Sequence, residues 1–86
     1  DIFLSQNYPN PFNPNTNLNF GIDKSGYVSL KIYDALGKEV ASLVNETLSA
    51  GSYEITWFAD SMPSGIYYYT LASSGNTVTK RMALMK

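Results

Sequence analysis

Apolar and polar residues alternate one by one in several short stretches of this chain. The clearest stretch contains Val28, Leu30 and Ile32, which are separated by Ser29 and Lys31. Successive side chains of a β-strand point to opposite faces of the sheet, so this alternation predicts strands that bury one face. An amphipathic helix needs apolar residues every three or four positions instead. The chain is therefore predicted to be all-β, without a helix.

Turn residues separate the alternating stretches, which begin at intervals of about 10 residues. The expected strands lie at residues 17–22, 27–33, 40–43, 53–57, 66–71 and 77–86. A seventh strand is expected as a short pairing from residues 6–16 or 58–64. This pattern predicts an immunoglobulin-like or fibronectin-III-like antiparallel β-sandwich of about seven strands.

Two irregularities are expected within the strands and turns. Val40 and Leu43 are three residues apart, which breaks strict alternation and predicts a bulge. Gly37 suits a left-handed position in the hairpin that joins the second and third strands. Residues 45–50 are expected to form a loop that Gly51 closes.

The inward positions of the strands define the expected core. Its members are Leu18, Phe20, Ile22, Val28, Leu30, Ile32, Val40, Leu43, Tyr53, Ile55, Trp57, Tyr67, Tyr69, Leu71, Met82 and Leu84. Trp57 is expected to lie between the two sheets, near Ile32 and Tyr69. The chain has no cysteine, so this core must hold the domain together without disulfides.

Residues 6–16 differ from the rest because prolines are concentrated there. Pro9, Pro11 and Pro14 exclude a helix and a central strand, so the segment is expected to be a stiff, extended lead-in. Tyr8 and Phe12 are expected to pin it against the sandwich. Residues 1–5 are interpreted as the end of a linker and residues 6–86 as the domain. The chain starts with Asp and shows no leader, which is typical of a module cut from a longer polypeptide.

The composition excludes several classes of function. The net charge of −1 argues against a general nucleic-acid binder, and no apolar run reaches the ~18 residues that a membrane-spanning helix needs. There is no histidine or cysteine, which excludes the usual nucleophilic triads and zinc ligand sets. No stepped calcium loop or phosphate-binding glycine loop is present. The chain is therefore expected to be non-catalytic, with no cofactor, no metal and no membrane insertion.

Basic residues are concentrated at the end of the chain. All acidic residues lie between Asp1 and Asp60, whereas Lys80, Arg81 and Lys86 follow without an acid among them. These residues have two interpretations. They either protect a solvated edge strand from association or form a recognition surface, and the edge itself could pair with a partner by strand addition.

Three outward tyrosines raise the alternative of a sugar-binding platform. Tyr27, Tyr33 and Tyr68 are predicted to face solvent. Tyr27 and Tyr33 are roughly 20 Å apart on one strand, which is too far for a single sugar ring. Cross-strand aromatic pairing is the favoured interpretation, and no measurable affinity for soluble polysaccharides is expected.

Several motifs together carry a family resemblance. They are Asn10-Pro11-Phe12 within residues 6–16, Gly37 after the second strand, Gly51-x-Tyr53-x-x-x-Trp57, Gly65-x-Tyr67, and the ending Lys80-Arg81-Met82-Ala83-Leu84-Met85-Lys86. From about Leu4 to Lys86 the chain resembles the C-terminal sorting domains of proteins that the type IX secretion system of Bacteroidetes exports. The opening motif also occurs in the Ig-like part of flagellar hook-capping proteins.

The resemblance implies that the domain is a non-catalytic sorting signal for a cargo domain that lies N-terminal to it in the same chain. The cargo would cross the periplasm of a Gram-negative bacterium and leave through outer-membrane secretion machinery. A sortase-like protease would remove the domain at the cell surface and join the cargo to lipopolysaccharide, and the domain is expected to be monomeric.

The expected recognition residues are Lys80, Arg81, Met82, Leu84 and Lys86, with the basic residues on one charged side of the last strand. The other motif residues are expected to be structural. Met85 departs from the basic pair that is common at the end of the family. The alternatives are a carbohydrate-binding or adhesion module of a secreted hydrolase and a structural Ig-like spacer.

Overall fold

Seven β-strands build the protein, and a computed structural model describes all 86 residues. The strands are β1 (Ile2–Leu4), β2 (Asn15–Ile22), β3 (Gly26–Asp34), β4 (Glu39–Leu48), β5 (Gly51–Phe58), β6 (Gly65–Ser73) and β7 (Asn76–Leu84). One sheet has the order β1-β2-β5 and the other β4-β3-β6-β7, and neighbouring strands are antiparallel. The predicted all-β sandwich of seven strands is confirmed.

The core lies between the sheets and consists of the inward side chains of the alternating strands. Most of the expected core residues are buried, including Trp57. Partly buried positions packed against this core include Val40, Leu43, Tyr53 and Ile55. The core also contains Leu4, Phe12, Val44 and Ala59, which the period of two did not assign to it.

The structure corrects the prediction that residues 1–5 form the end of a linker. Ile2–Leu4 pair with residues 20–22 of β2, and the Leu4 side chain is buried. This pairing supplies the seventh strand, which the sequence placed in residues 6–16 or 58–64. Three residues are too few for alternation to distinguish a strand from a loop, so no periodic pattern marks this strand.

Strand β4 is longer than predicted. It continues to Leu48 through residues that were expected to form a loop, because its pairing with β3 extends to Gly26 opposite Leu48. The register shifts between Leu30 and Lys31 and again between Ile32 and Tyr33. These irregularities agree with the bulge predicted from the spacing of Val40 and Leu43.

Gly51 and Gly65 each begin a strand with a backbone conformation that favours glycine. Their φ angles are +154° and +158°, and Gly37 in the β3–β4 turn has a φ of +88°, as expected for its left-handed position. Side chains with a Cβ atom rarely adopt positive φ values. The glycines of the two sequence motifs therefore set the chain direction at the entries of β5 and β6.

The lead-in, residues 6–16, crosses from the smaller sheet to the larger sheet and back. Tyr8 and Asn17 exchange backbone hydrogen bonds of 3.0 and 2.9 Å, and Phe12 forms a parallel bridge with Leu84. Phe12 is 2% exposed and is an anchor, as predicted. Tyr8 is 77% exposed, so its predicted anchoring role is wrong. It is the backbone of Tyr8, and not its ring, that holds the segment.

A buried polar network secures the start of the lead-in. The Tyr69 hydroxyl donates to the Ser5 carbonyl at 2.7 Å and accepts from the Asn7 amide at 2.8 Å. The buried Asn7 side chain donates to Thr16 Oγ1 at 3.0 Å and to the Pro9 carbonyl at 3.1 Å. Thr16 Oγ1 donates to the same carbonyl at 2.9 Å. Because β6 supplies Tyr69, the network joins the lead-in to the larger sheet.

Tyr69→Phe is expected to lower the free energy of unfolding by about 1–3 kcal/mol, because it leaves the Asn7 amide and the Ser5 carbonyl without this partner. Urea unfolding followed by tryptophan fluorescence measures the change. Tyr68→Phe removes a hydroxyl from the preceding residue, which is exposed on the opposite face of the strand, and should change stability by less than about 0.5 kcal/mol. Equal midpoints for the two variants would contradict the prediction.

Candidate functional site

The last strand, β7, forms one edge of the larger sheet and pairs with β6. Tyr67 lies opposite Met82, and both side chains point into the core. Met82 and Leu84 are each 1% exposed. These two predicted recognition residues therefore hold the strand in the sandwich, and a partner cannot reach their side chains in the folded domain.

The basic residues of the last segment do not form the single charged side that the sequence suggested. Lys80 lies opposite the inward Tyr69, whereas Arg81 lies opposite the outward Tyr68, so their side chains leave opposite faces of the sheet. Lys86 follows the strand. Its amide donates to Ser64 Oγ at 3.0 Å, and its ammonium group donates to the Asp60 carbonyl. The prediction is wrong because the side chains of successive residues in a strand point to opposite faces of the sheet.

The lead-in covers the outer edge of β7 along residues 81–85. The Phe12 amide donates to the Ala83 carbonyl at 3.0 Å, and the Met85 amide donates to the Phe12 carbonyl at 3.0 Å. The Asn10 side chain accepts from the Ala83 amide at 3.0 Å. The Gln6 side chain donates to the Arg81 carbonyl at 2.7 Å. Strand addition at this part of the edge would require displacement of the lead-in.

The outer face of the sheet near the end of β7 carries exposed apolar side chains and one guanidinium group. Ile66 lies opposite Ala83, and Tyr68 lies opposite Arg81. We define the outer C-terminal patch as Pro11, Ile66, Tyr68, Arg81, Ala83 and Met85. Its largest apolar members, Ile66, Tyr68 and Met85, are exposed.

Two of the outward tyrosines are direct cross-strand neighbours. Tyr33 of β3 lies opposite Tyr68 of β6, while Tyr27 lies near the other end of β3, opposite Thr47 of β4. The sequence alone did not show that β3 and β6 are neighbours, so it missed this pair. Aromatic residues in such positions stabilise antiparallel sheets.

The aromatic residues of the motifs pack around one another in the core. The Trp57 ring lies 5.8 Å from that of Phe12 and 5.4 Å from that of Tyr67, measured between centroids. The Tyr67 hydroxyl donates to the Pro63 carbonyl at 2.7 Å. Tyr53 stacks on Phe20 at 5.3 Å. Burial raises the pKa values of Tyr67 and Tyr69 above the usual value of 10.0, and the charge of Asp34 adds to the rise at Tyr67.

The structure contains no cluster of three or more acidic side chains placed to hold a metal ion. It also has no helix of the length and apolarity required to cross a membrane.

Comparison with known proteins identifies a family. The family model described as secretion system C-terminal sorting domain matches residues 6–85. Curated proteins gave no match. A solved structure of PorZ, described as an essential bacterial surface component of the type-IX secretion system of Porphyromonas gingivalis, is similar, with a TM-score of 0.66 and 22% identity. The similarity covers 99% of this chain and 11% of the PorZ chain. At this identity it shows a shared fold.

Proposed function

Because this chain belongs to the family of secretion system C-terminal sorting domains, which are the sorting signals of type IX secretion, we propose that it is a non-catalytic signal for the export of a cargo domain in the same polypeptide. The cargo lies N-terminal to it. The domain is recognised in the periplasm and directs the cargo through the outer-membrane machinery to the cell surface or the medium. The observation that carries this proposal is the family match over nearly the whole chain.

A sortase-like protease removes the domain after export, and the domain acts as a monomer. The fold is suited to this role because a folded surface needs no cleft or reactive group to be recognised. The motif residues Trp57 and Tyr67 build the core, and the lead-in holds the last strand in place. The domain therefore presents the segment from Lys80 to Lys86 in one fixed conformation.

We assign the sorting signal to this last segment. Met82 and Leu84 act through burial, since they fix the strand in the sheet. Lys80, Arg81 and Lys86 supply the positive charge that is accessible to a partner. The segment is net positive in a chain whose net charge is −1.

The expected result of a fusion experiment tests the proposal. A periplasmic reporter followed by this domain should reach the medium or the cell surface of a host with a working type IX system. It should remain in the periplasm of the same host without its outer-membrane component. Equal distribution in the two hosts would overturn the proposed function.

The triple variant Lys80→Ala/Arg81→Ala/Lys86→Ala tests the last segment in the same fusion. Surface substitutions typically change stability by less than about 0.5 kcal/mol each, so the domain should stay folded. The reporter should nevertheless remain inside the cell. Resistance of the fusion to limited proteolysis controls for folding. Export of the folded variant at the wild-type level would exclude the charges as part of the signal.

A further inference from the structure

We propose that the outer C-terminal patch is the surface that the export machinery binds, and that its occupant is a protein surface with an apolar site beside a carboxylate group. This inference rests on the proposed function and goes beyond it. It divides the last strand into residues that contact the partner and residues that serve folding. Arg81, Ala83 and Met85 belong to the first group, and Met82 and Leu84 belong to the second.

The directions of the side chains show which residues of β7 form this surface. Met82 and Leu84 point into the core, so the side chains of Arg81, Ala83 and Met85 point to the opposite, outer face of the sheet. Arg81 and Ala83 stand beside the outward residues Tyr68 and Ile66 of β6. Two neighbouring strands thus contribute to one surface, which the sequence of the last strand alone does not reveal.

The lead-in extends this surface across the sheet edge. Phe12 and Leu84 form a parallel bridge, and the residues that precede them are Pro11 and Ala83. Pro11 precedes the buried Phe12 and is itself exposed, so we place it beside Ala83 on the outer face. Met85, which follows Leu84, is exposed as well. The opening motif and the ending of the chain therefore meet on one face.

The charge on this face indicates the chemistry of the occupant. Lys31, on the same outer face, is paired with Glu39 at 3.4 Å. The Arg81 guanidinium makes no ion pair in the structure, and no residue of the patch is acidic. A free guanidinium opposite Tyr68, on a face that also exposes Ile66 and Met85, has the composition of a protein-binding hot spot. Membrane binding would instead call for a cluster of basic residues.

Charge reversal at two exposed basic residues provides a matched test. Arg81→Glu and Lys24→Glu change the net charge equally, but Lys24 lies in the turn between β2 and β3, outside the patch and the last segment. In the reporter fusion, Arg81→Glu should reduce the exported fraction by about tenfold or more, because a carboxylate in the partner would then meet a negative charge. Lys24→Glu should reduce it by less than about twofold.

A second pair of variants tests the apolar part of the patch. Met85→Glu places a charge on the patch, and Phe58→Glu makes the same kind of change on β5 in the other sheet, where Phe58 is also exposed. Export should fall strongly for Met85→Glu and remain close to wild type for Phe58→Glu. Limited proteolysis of each periplasmic fusion shows that the domain is folded.

Equal losses for the two members of either pair would overturn the proposal, as would wild-type export of Arg81→Glu. Cosedimentation of the chain with purified outer-membrane lipopolysaccharide that Arg81→Glu abolishes would overturn the assignment to a protein partner. Failure of the proposed function would give a different result, because export of the unmodified fusion would then not depend on the type IX system. The proposal is supported if the unmodified fusion is exported and if, in both pairs, export falls strongly for the patch variant only.

Discussion

Trp57→Ala is expected to lower the free energy of unfolding by about 3–5 kcal/mol. Trp57 lies between the sheets, and its ring contacts those of Phe12 and Tyr67. The lead-in supplies Phe12 and β6 supplies Tyr67, so the cavity would open where three segments of the chain meet. Domains of this size have stabilities of about 5–15 kcal/mol, so the variant is expected to be close to unfolding at physiological temperature.

Thermal unfolding followed by circular dichroism measures this effect, and the melting temperature should fall by more than about 10 °C. Phe58→Ala is the matched control. Phe58 is the next residue of β5 and is exposed on the other face, so its removal should change stability by less than about 0.5 kcal/mol. Similar melting temperatures for the two variants would show that the register of β5 is wrong.

Alternation of side chains allowed most of the sandwich to be predicted, because burial of one face leaves a direct trace in the sequence. It placed Trp57 between the sheets and Tyr68 on the outside, and both positions are confirmed. It could not locate β1, since Ile2–Leu4 is too short to show a period. It also could not show which strands are neighbours, because pairing depends on contacts between residues that are distant in the chain. The Tyr33–Tyr68 pair was missed for this reason.

The candidate site shows a different kind of failure. The sequence already contained the information that Lys80 and Arg81 face opposite ways, since Met82 and Leu84 were assigned to the core. Lys80 shares their parity and Arg81 does not. Grouping the residues by charge concealed this. The contacts of the lead-in with β7, in contrast, link residues that are more than seventy positions apart, such as Asn10 and Ala83. Local sequence patterns carry no trace of such contacts.

These contacts explain why a proline-rich opening and a basic ending occur in the same domain. An edge strand exposes amide and carbonyl groups that invite pairing with other chains. Along residues 81–85 the lead-in satisfies these groups through Phe12, Asn10 and Gln6. The prolines suit this task, because they have no backbone amide hydrogen and cannot themselves continue a sheet. The lead-in thus ends the sheet at β7 and holds the last strand in position.

Phe12→Ala is therefore expected to have two consequences. The loss of a ring that is 2% exposed should lower the free energy of unfolding by about 3–5 kcal/mol. It should also loosen the backbone bonds of the lead-in to β7, because the buried ring fixes the Phe12 amide and carbonyl against the strand. In native-state hydrogen exchange, the Met85 and Ala83 amides should then exchange at least about tenfold faster than in the wild type, in line with a local opening that costs about 1.4 kcal/mol less.

Tyr8→Ala separates these consequences from a general weakening of the lead-in. Tyr8 belongs to the same segment, but its ring is exposed and its backbone bonds to Asn17 remain possible after the substitution. This variant should leave stability within about 0.5 kcal/mol of the wild type and the Met85 amide protected. If Phe12→Ala lost stability while the Met85 and Ala83 amides kept their wild-type protection relative to the rest of β7, the ring would contribute to the core alone. The closure of the edge would then depend on Asn10 and Gln6, and their substitution should release the strand.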